Sequence, residues 1–232
     1  NTSLFIDEED EKYHIFVEQI SKNDFLKMTK IIDIRNDLVM CKTTLIPGED
    51  GFVHLKNLMK EFDLFTKINH PCICKIYGIN TSEILKTEDD KNDILTISLF
   101  LEYLDYDLDD CINKKILSNT IKTRIIIEII HGMLFIHNHG LIHRDLKIEN
   151  IRLNSFLKCK IADLGLVKIS ELVIPNYSLT QSSFVKGIAS AIYMSPELIK
   201  EEDYDNKTDV YSFGILLYYI FIEKLPKYSM KD

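Results

Sequence analysis

The 232-residue sequence predicts an α+β fold in two lobes, a β-rich one over 1–102 and a mainly helical one over 103–232. Two patterns carry this prediction. Residues 13–44 are rich in β-formers broken by short polar turns, and from 120 onward the chain switches to long apolar stretches. Composition agrees, because 46% of the residues are hydrophobic, enough to bury one substantial core or two smaller ones.

YHIFVEQI, FLKMTKIIDI and LVMCKTTL, separated by SKND and RND, read as an antiparallel three-stranded meander. Pro47, Gly48 and Gly51 break the chain. Phe52, Leu55, Leu58, Met59, Phe62, Phe65 and Ile68 then recur at spacings of three and four, which predicts an amphipathic helix ending near His70 and Pro71. CICKIYGI and DILTISLFLEYL follow as strands around a charged loop, so the first hundred residues read as a five-strand, one-helix unit. After a short acidic stretch, Asp105 to Asp110, a helix over 120–139 carries Ile, Met, Leu and Phe around much of its girth and is expected to be buried. Gly140 ends it, and a loop with paired short strands is expected through Lys160. A polar, aperiodic stretch over 169–190 precedes a last apolar helix over about 209–222.

A formal net charge of -8 argues against a nucleic-acid surface as the main business of the chain. The five cysteines are odd in number and lack zinc-ligand spacing, which points to a reduced, cytoplasmic setting. The most apolar run, GILLYYIFI, is too short to span a bilayer, and the acidic opening DEEDE is no leader, so no membrane contact is expected within this segment. The first residue is Asn1, and the chain is expected to be excised from a longer protein.

The strongest chemical signal is HRDLKIEN, His143 to Asn150. Eighteen residues beyond Asp145 comes Asp163-Leu164-Gly165 behind the short apolar strand KIA; YMSPE and DVYSFGILL lie farther on. Upstream, Lys42 ends the strand VMCK and Glu61 lies on the following helix. This set resembles, motif by motif, the eukaryotic-type protein kinase catalytic domain of the Ser/Thr or tyrosine-kinase-like group. The resemblance covers nearly the whole chain and implies the two-lobed kinase fold with an incomplete second lobe, because the family has more helices beyond the last residue here.

The resemblance also implies roles. Phosphoryl transfer needs positioning and charge stabilisation more than covalent help. Asp145 would orient the substrate hydroxyl and Lys147 would neutralise the transferring phosphate. Asn150 and Asp163 would hold Mg²⁺, a hard cation that prefers oxygen ligands. Lys42, held by Glu61, would grip the phosphates of ATP. Ile20, Met28, Met40, Glu102, Leu104 and Arg152 occupy the remaining positions at which the family contacts the nucleotide. Asp209 would accept backbone N–H groups from the His143–Arg144 turn, and Arg144 could pair with a phosphate on the segment between Asp163 and Glu197, with Tyr177, Thr180, Ser182 and Ser183 as candidate acceptors. Lysine at 147 is the Ser/Thr-type form, and the partners implied are ATP and a protein substrate.

Three departures concern the nucleotide. The glycine-rich loop position reads SKNDFLKM, Ser21 to Met28, without glycine, although glycines allow backbone N–H groups to approach phosphates closely. Met40 replaces the usual alanine of the adenine roof. Arg152 replaces an apolar floor residue and must either stack on the base or turn its head away. The reading is therefore an ATP- and Mg²⁺-dependent kinase for Ser/Thr hydroxyls of proteins, acting in signalling. The alternatives are a pseudokinase acting as a regulatory or scaffold module, and a small-molecule kinase of similar fold.

Overall fold

The computed structural model describes residues 4–5, 15–22, 26–32, 38–47, 69–84, 94–162, 191–200 and 202–226. The chain divides into two compact units, one built from Asn1–Asn69 and Cys74–Tyr103, the other from His70–Ile73, Leu104–Gly165 and Asn176–Asp232, as far as these are described.

The first unit is a six-stranded sheet in the order β1-β5-β6-β4-β3-β2. Its strands are β1 (Leu4–Phe5), β2 (Ile15–Lys22), β3 (Leu26–Ile32), β4 (Leu38–Pro47), β5 (Ile76–Ile84) and β6 (Ile94–Glu102). The meander read from 13–44 is present as β2, β3 and β4, antiparallel throughout. Against the five strands expected there is a sixth, β1, which pairs in parallel with Gly78 and Ile79 of β5. Two residues are too short for any period to reveal. The strand read as CICKIYGI starts only at Ile76, because Cys72 and Ile73 belong to the second unit: the Ile161 N–H donates to the Cys72 carbonyl, and Ile73 forms a bridge with Ile161. One face of the sheet buries Ile31, Val39 and Phe100 together, with Cys41 and Tyr77 packed against them. The Thr43 and Ser98 hydroxyls hydrogen-bond at 2.9 Å between β4 and β6. The helix expected over 52–68 lies outside the described residues.

The second unit opens with β7 (Tyr106–Asp107) and α1 (Leu108–Asn113), which begins directly in the acidic stretch. Acidic residues in a first helical turn suit the helix dipole, and Asp109 and Asp110 sit there. The long helix α2 runs Asn119–Asn138, where the sequence predicts 120–139, and the Ser118 side chain caps it by accepting the Ile121 N–H. It buries Lys122, Ile125, Ile126, Ile129, Gly132, Met133 and Ile136, a stripe at three- and four-residue spacing. The helix is buried, as expected, along this stripe, while Ile127 and Leu134, on the other side, are about half exposed (49% and 52%).

Strands β8 (Ile151–Leu153) and β9 (Cys159–Ile161) are the predicted short pair and complete a sheet in the order β7-β8-β9. Ile151, Leu153, Cys159 and Ile161 are at most 1% exposed. Each such aliphatic side chain contributes about 1.5–3 kcal/mol by leaving water. Helix and strand approach closely at Gly132: a Cβ there would lie 2.8 Å from Ile161 Cδ1 and 3.1 Å from the Cys72 carbonyl oxygen. A short turn α3 (Pro196–Ile199) and the helix α4 (Lys207–Ile222) follow, the latter starting two residues before its predicted position. Lys122, buried on α2, donates to Glu223 at the end of α4 over 2.7 Å. That pair holds the Glu223 carboxyl below the usual carboxylate range. No helix among the described residues is long and apolar enough to cross a membrane.

Candidate active site

The segment His143 to Asn150 leaves α2 and enters β8 through a single 3₁₀ turn, Ile148–Asn150. Apolar and polar positions alternate along it, so Leu146 and Ile148 sink into the core while Asp145 and Lys147 remain partly accessible. The loop is therefore pinned at its apolar positions and displays its charged ones.

A second anchor is Asp209, fully buried in the first turn of α4. Its Oδ2 accepts the His143 N–H at 2.8 Å and its Oδ1 accepts the Arg144 N–H at 2.8 Å, the arrangement expected from the sequence. A third partner was not foreseen: His137, on the last turn of α2, has its Nε2 2.8 Å from Asp209 Oδ2. A buried carboxylate needs such multiple donors to offset its lost hydration. Arg144, whose N–H is the second of these donors, adopts φ +67°, a left-handed conformation unusual for a side-chain-bearing residue. Its guanidinium lies over the Tyr204 ring, 5.2 Å from the centroid.

His143 joins this loop to the strand that precedes Asp163. Its Nδ1 accepts the Asp145 N–H at 3.3 Å, so the ring proton sits on Nε2, which donates to the Ala162 carbonyl at 3.2 Å. The Ala162 N–H in turn donates to the Asn150 carbonyl at 2.8 Å. Both amide groups of the residue before Asp163 are thus held by the loop that carries Asp145. Asp163 itself lies outside the described residues, as does Glu61.

Asp145, Lys147 and Asn150 are brought together. The Lys147 ammonium donates to Asp145 Oδ1 at 2.9 Å and stands 2.8 Å from Oδ2. The buried Asn150 amide nitrogen donates to Asp145 Oδ2 at 2.8 Å and to the Asp145 carbonyl at 2.7 Å. With its nitrogen so committed, Asn150 can offer a metal only Oδ1, and an amide oxygen beside a carboxylate is a hard donor set that fits Mg²⁺. Among the described residues no group of three or more His, Cys, Asp or Glu side chains could hold a metal ion. The fit therefore rests on Asn150 together with the expected ligand Asp163.

The other expected nucleotide residues are distributed over both units. Met40 and Lys42 lie two apart on β4, Met40 buried opposite Leu101 and Lys42 half-buried opposite Leu99 and Met28. The period of two along a strand puts their side chains on one face. Ile20 and Met28 belong to β2 and β3. Glu102 ends β6; its N–H donates to the Lys75 carbonyl at 2.9 Å and its carboxylate accepts the Lys75 N–H at 3.2 Å. Leu104 is buried. Arg152 turns its head to Asp107, Nη1 to Oδ1 at 2.6 Å, and donates from Nη2 to the Leu104 carbonyl at 3.4 Å.

The segment YMSPE is fastened to α4 by buried hydroxyls. Ser195 and Thr208 hydrogen-bond at 2.7 Å, and Ser212 donates to the Tyr193 carbonyl at 2.6 Å. Burial pushes the Tyr193 phenol well above its usual range, with nearby Glu149 adding to the shift.

The model of the protein kinase domain matches residues 17–232. A probable serine/threonine-protein kinase of Dictyostelium discoideum is 33% identical over 181 residues, covering 77% of this chain and 18% of that protein. The human receptor-interacting serine/threonine-protein kinase 1 is 31% identical over 202 residues, 83% of this chain and 28% of the relative. A serine/threonine/tyrosine-protein kinase of Arabidopsis thaliana, HT1, is 39% identical over 108 residues, 46% of this chain and 25% of that protein. The chain spans less than a third of the length of these relatives. With its motifs, its two units and this match along nearly its whole length, the chain belongs to the protein kinase domain family.

Proposed function

We propose that this chain is a catalytic domain that transfers the γ-phosphate of ATP to Ser or Thr hydroxyls of protein substrates, in signalling. The observation that carries the reading is the Asp145, Lys147 and Asn150 cluster, locked to the buried Asp209 through two backbone N–H groups. The names of the relatives, serine/threonine-protein kinases in the Dictyostelium and human cases, support it.

In this reading Asp145 accepts or orients the proton of the substrate hydroxyl. Lys147, paired with the Asp145 carboxylate, would neutralise charge on the transferring phosphoryl group. Lys42 and Glu61 hold the α- and β-phosphates. Asn150 and Asp163 would hold Mg²⁺, which would absorb charge on the phosphates. Ile20, Met28, Met40, Glu102, Leu104 and Arg152 are the further residues that would contact the nucleotide. The five cysteines are free thiols, which suits a cytoplasmic setting.

A pseudokinase is the second reading, favoured by the sequence Ser21 to Met28, which lacks every glycine of the phosphate-covering loop. Phosphate transfer from Mg-ATP to the full-length protein itself or to a generic basic protein, read by mass spectrometry, separates the two. Transfer that disappears in Asp163→Ala is expected. Its absence from a folded wild-type protein would leave the scaffold reading in place.

A further inference from the structure

Strand β1 lies at one edge of the six-stranded sheet, and β2, the next strand in the chain, lies at the other. One row of register partners crosses the whole sheet: Phe5, Ile79, Leu99, Lys42, Met28 and Ser21. Phe5 and Ser21 therefore stand five strand spacings apart, about 24 Å. Ile15, where β2 begins, pairs with Ile32, four residues along β3 from Met28. This offset adds about 13 Å along the strands, so Phe5 and Ile15 are separated by about 27 Å across the sheet.

Direction makes the connection harder. β1 is parallel to β5 and each of the next four pairings is antiparallel, so β1 also runs parallel to β2. The chain leaves Phe5 heading away from the row of Ile15. Parallel strands need a crossover of about a dozen residues or more. Here only residues 6–14 separate the two strands, and a fully extended chain of that length reaches about 33–36 Å. A connection within one chain has about 6–9 Å to spare for passing round the strands and reversing its direction. This constraint bears on connectivity and not on pairing, since Leu4 and Phe5 meet Gly78 and Ile79 in the same register whichever chain supplies them. The receiving edge is long: β5 runs Ile76–Ile84, and among the described residues only Gly78 and Ile79 have a strand partner on that side. An open edge is a template for another chain, and short connections under strain favour exchange of an end element between protomers.

We propose that β1 is exchanged between two copies of this protein, Leu4–Phe5 of each pairing in parallel with Gly78–Ile79 of the other, so that the edge of β5 is a self-association surface. The exchange is reciprocal and closes as a dimer. The connection then spans a gap set by how the two copies sit, and the width of one sheet no longer limits it.

The test cross-links the register in the full-length protein. Phe5→Cys and Ile79→Cys are made singly in two copies that differ by a tag, and the two are coexpressed, purified and oxidised. Directly paired strand positions lie within disulfide reach. A disulfide joining the Phe5→Cys copy to the Ile79→Cys copy is expected, and it should be missing when either is paired with wild type, which controls for the native cysteines. With both substitutions in one chain, covalent dimers are expected. Closure of that disulfide within single chains, or no disulfide between the two positions, would overturn the inference. Ile79 is 1% exposed, so a second variant leaves it untouched: an insertion of about eight Gly and Ser residues after Asp10, which extends the reach by about 26–29 Å. Sedimentation is expected to show a dimeric wild type and a shift toward monomer in the insertion variant. A wild type that stays monomeric, or a dimer unchanged by the insertion, would overturn the inference as well.

Discussion

Replacing Asp209 by asparagine keeps the shape of the side chain but removes its charge and reverses the hydrogen-bonding sense of one of its atoms. The carboxylate takes hydrogen bonds from the His143 and Arg144 amides and contacts His137 Nε2, all at 2.8 Å, from a position with no exposure to solvent. An amide has one acceptor oxygen, so its NH₂ must face at least one of the two backbone N–H groups. One buried donor is left without a partner, and the remaining bonds lose their charge assistance. Each charge-assisted bond contributes about 1.5–3 kcal/mol, and an orphaned buried donor costs about 1–3 kcal/mol. A loss of about 3–5 kcal/mol is expected, the size associated with breaking a buried charged cluster. The left-handed conformation of Arg144, which costs about 1 kcal/mol or more by itself, then has less to sustain it. For a chain of this size the loss lowers the melting temperature by roughly 6–20 °C, at about 2–4 °C per kcal/mol. Asp145 follows Arg144 in the chain, and a displacement of about 1 Å at a catalytic group costs about a hundredfold in rate. Thermal melting and phosphate transfer by the same preparation measure both effects. An Asp209→Asn protein that melts within about 2 °C of wild type and transfers phosphate within about threefold of it would refute the claim that this carboxylate organises the loop.

Two further outcomes follow from the packing of α2. Gly132→Ala gains about 1 kcal/mol of helix propensity, yet the new methyl meets Ile161 Cδ1 at 2.8 Å and the Cys72 carbonyl at 3.1 Å. A net destabilisation of about 1–2 kcal/mol is expected from overpacking; chemical denaturation should show Ile161→Val recovering part of it in the double variant, and simple additivity would contradict the contact. His70 accepts the Cys72 N–H on Nδ1 at 3.2 Å and packs against Phe135 at 4.8 Å between centroids. Burial, then His131, then Lys160 lower its pKa below the usual 6.5. The folded state thus binds fewer protons than the unfolded one, so this contribution is intact above pH 6.5 and is lost as pH falls from there to the folded value. His70→Gln, which cannot titrate, is expected to lose less stability between pH 7.5 and 5 in denaturant melts; identical pH profiles would contradict the assignment.

The legible parts of this protein were those written in consecutive residues or in a regular period. HRDLKIEN announced Asp145, Lys147 and Asn150, and the structure gathers the three. DVYSFGILL announced Asp209 as an acceptor for the turn before it, and both amides are there. Alternating β-formers announced β2 to β4. What stayed hidden depends on pairings between distant residues. His137 reads as one polar position on an apolar helix, and only the approach of α4 makes it a partner of Asp209. Asp107 looked like part of an acidic stretch until the register of a two-residue strand set it against Arg152. Cys72 and Ile73 have the residues of a strand, but the Cys72 carbonyl accepts from Ile161 of β9 and Ile73 bridges to it, which the local pattern cannot tell.

The fastening of Ala162 has a consequence for how substitutions act on this protein. One amide group of that residue is held by the His143 ring and the other by the Asn150 backbone. The chain segments leading to Asp145, the proposed hydroxyl-orienting residue, and toward the expected metal ligand therefore share one frame of reference. A change in the core beneath either one is expected to be transmitted to the other through Ala162. Damage should appear abruptly, when that shared frame breaks, and not as a gradual decline with each substitution.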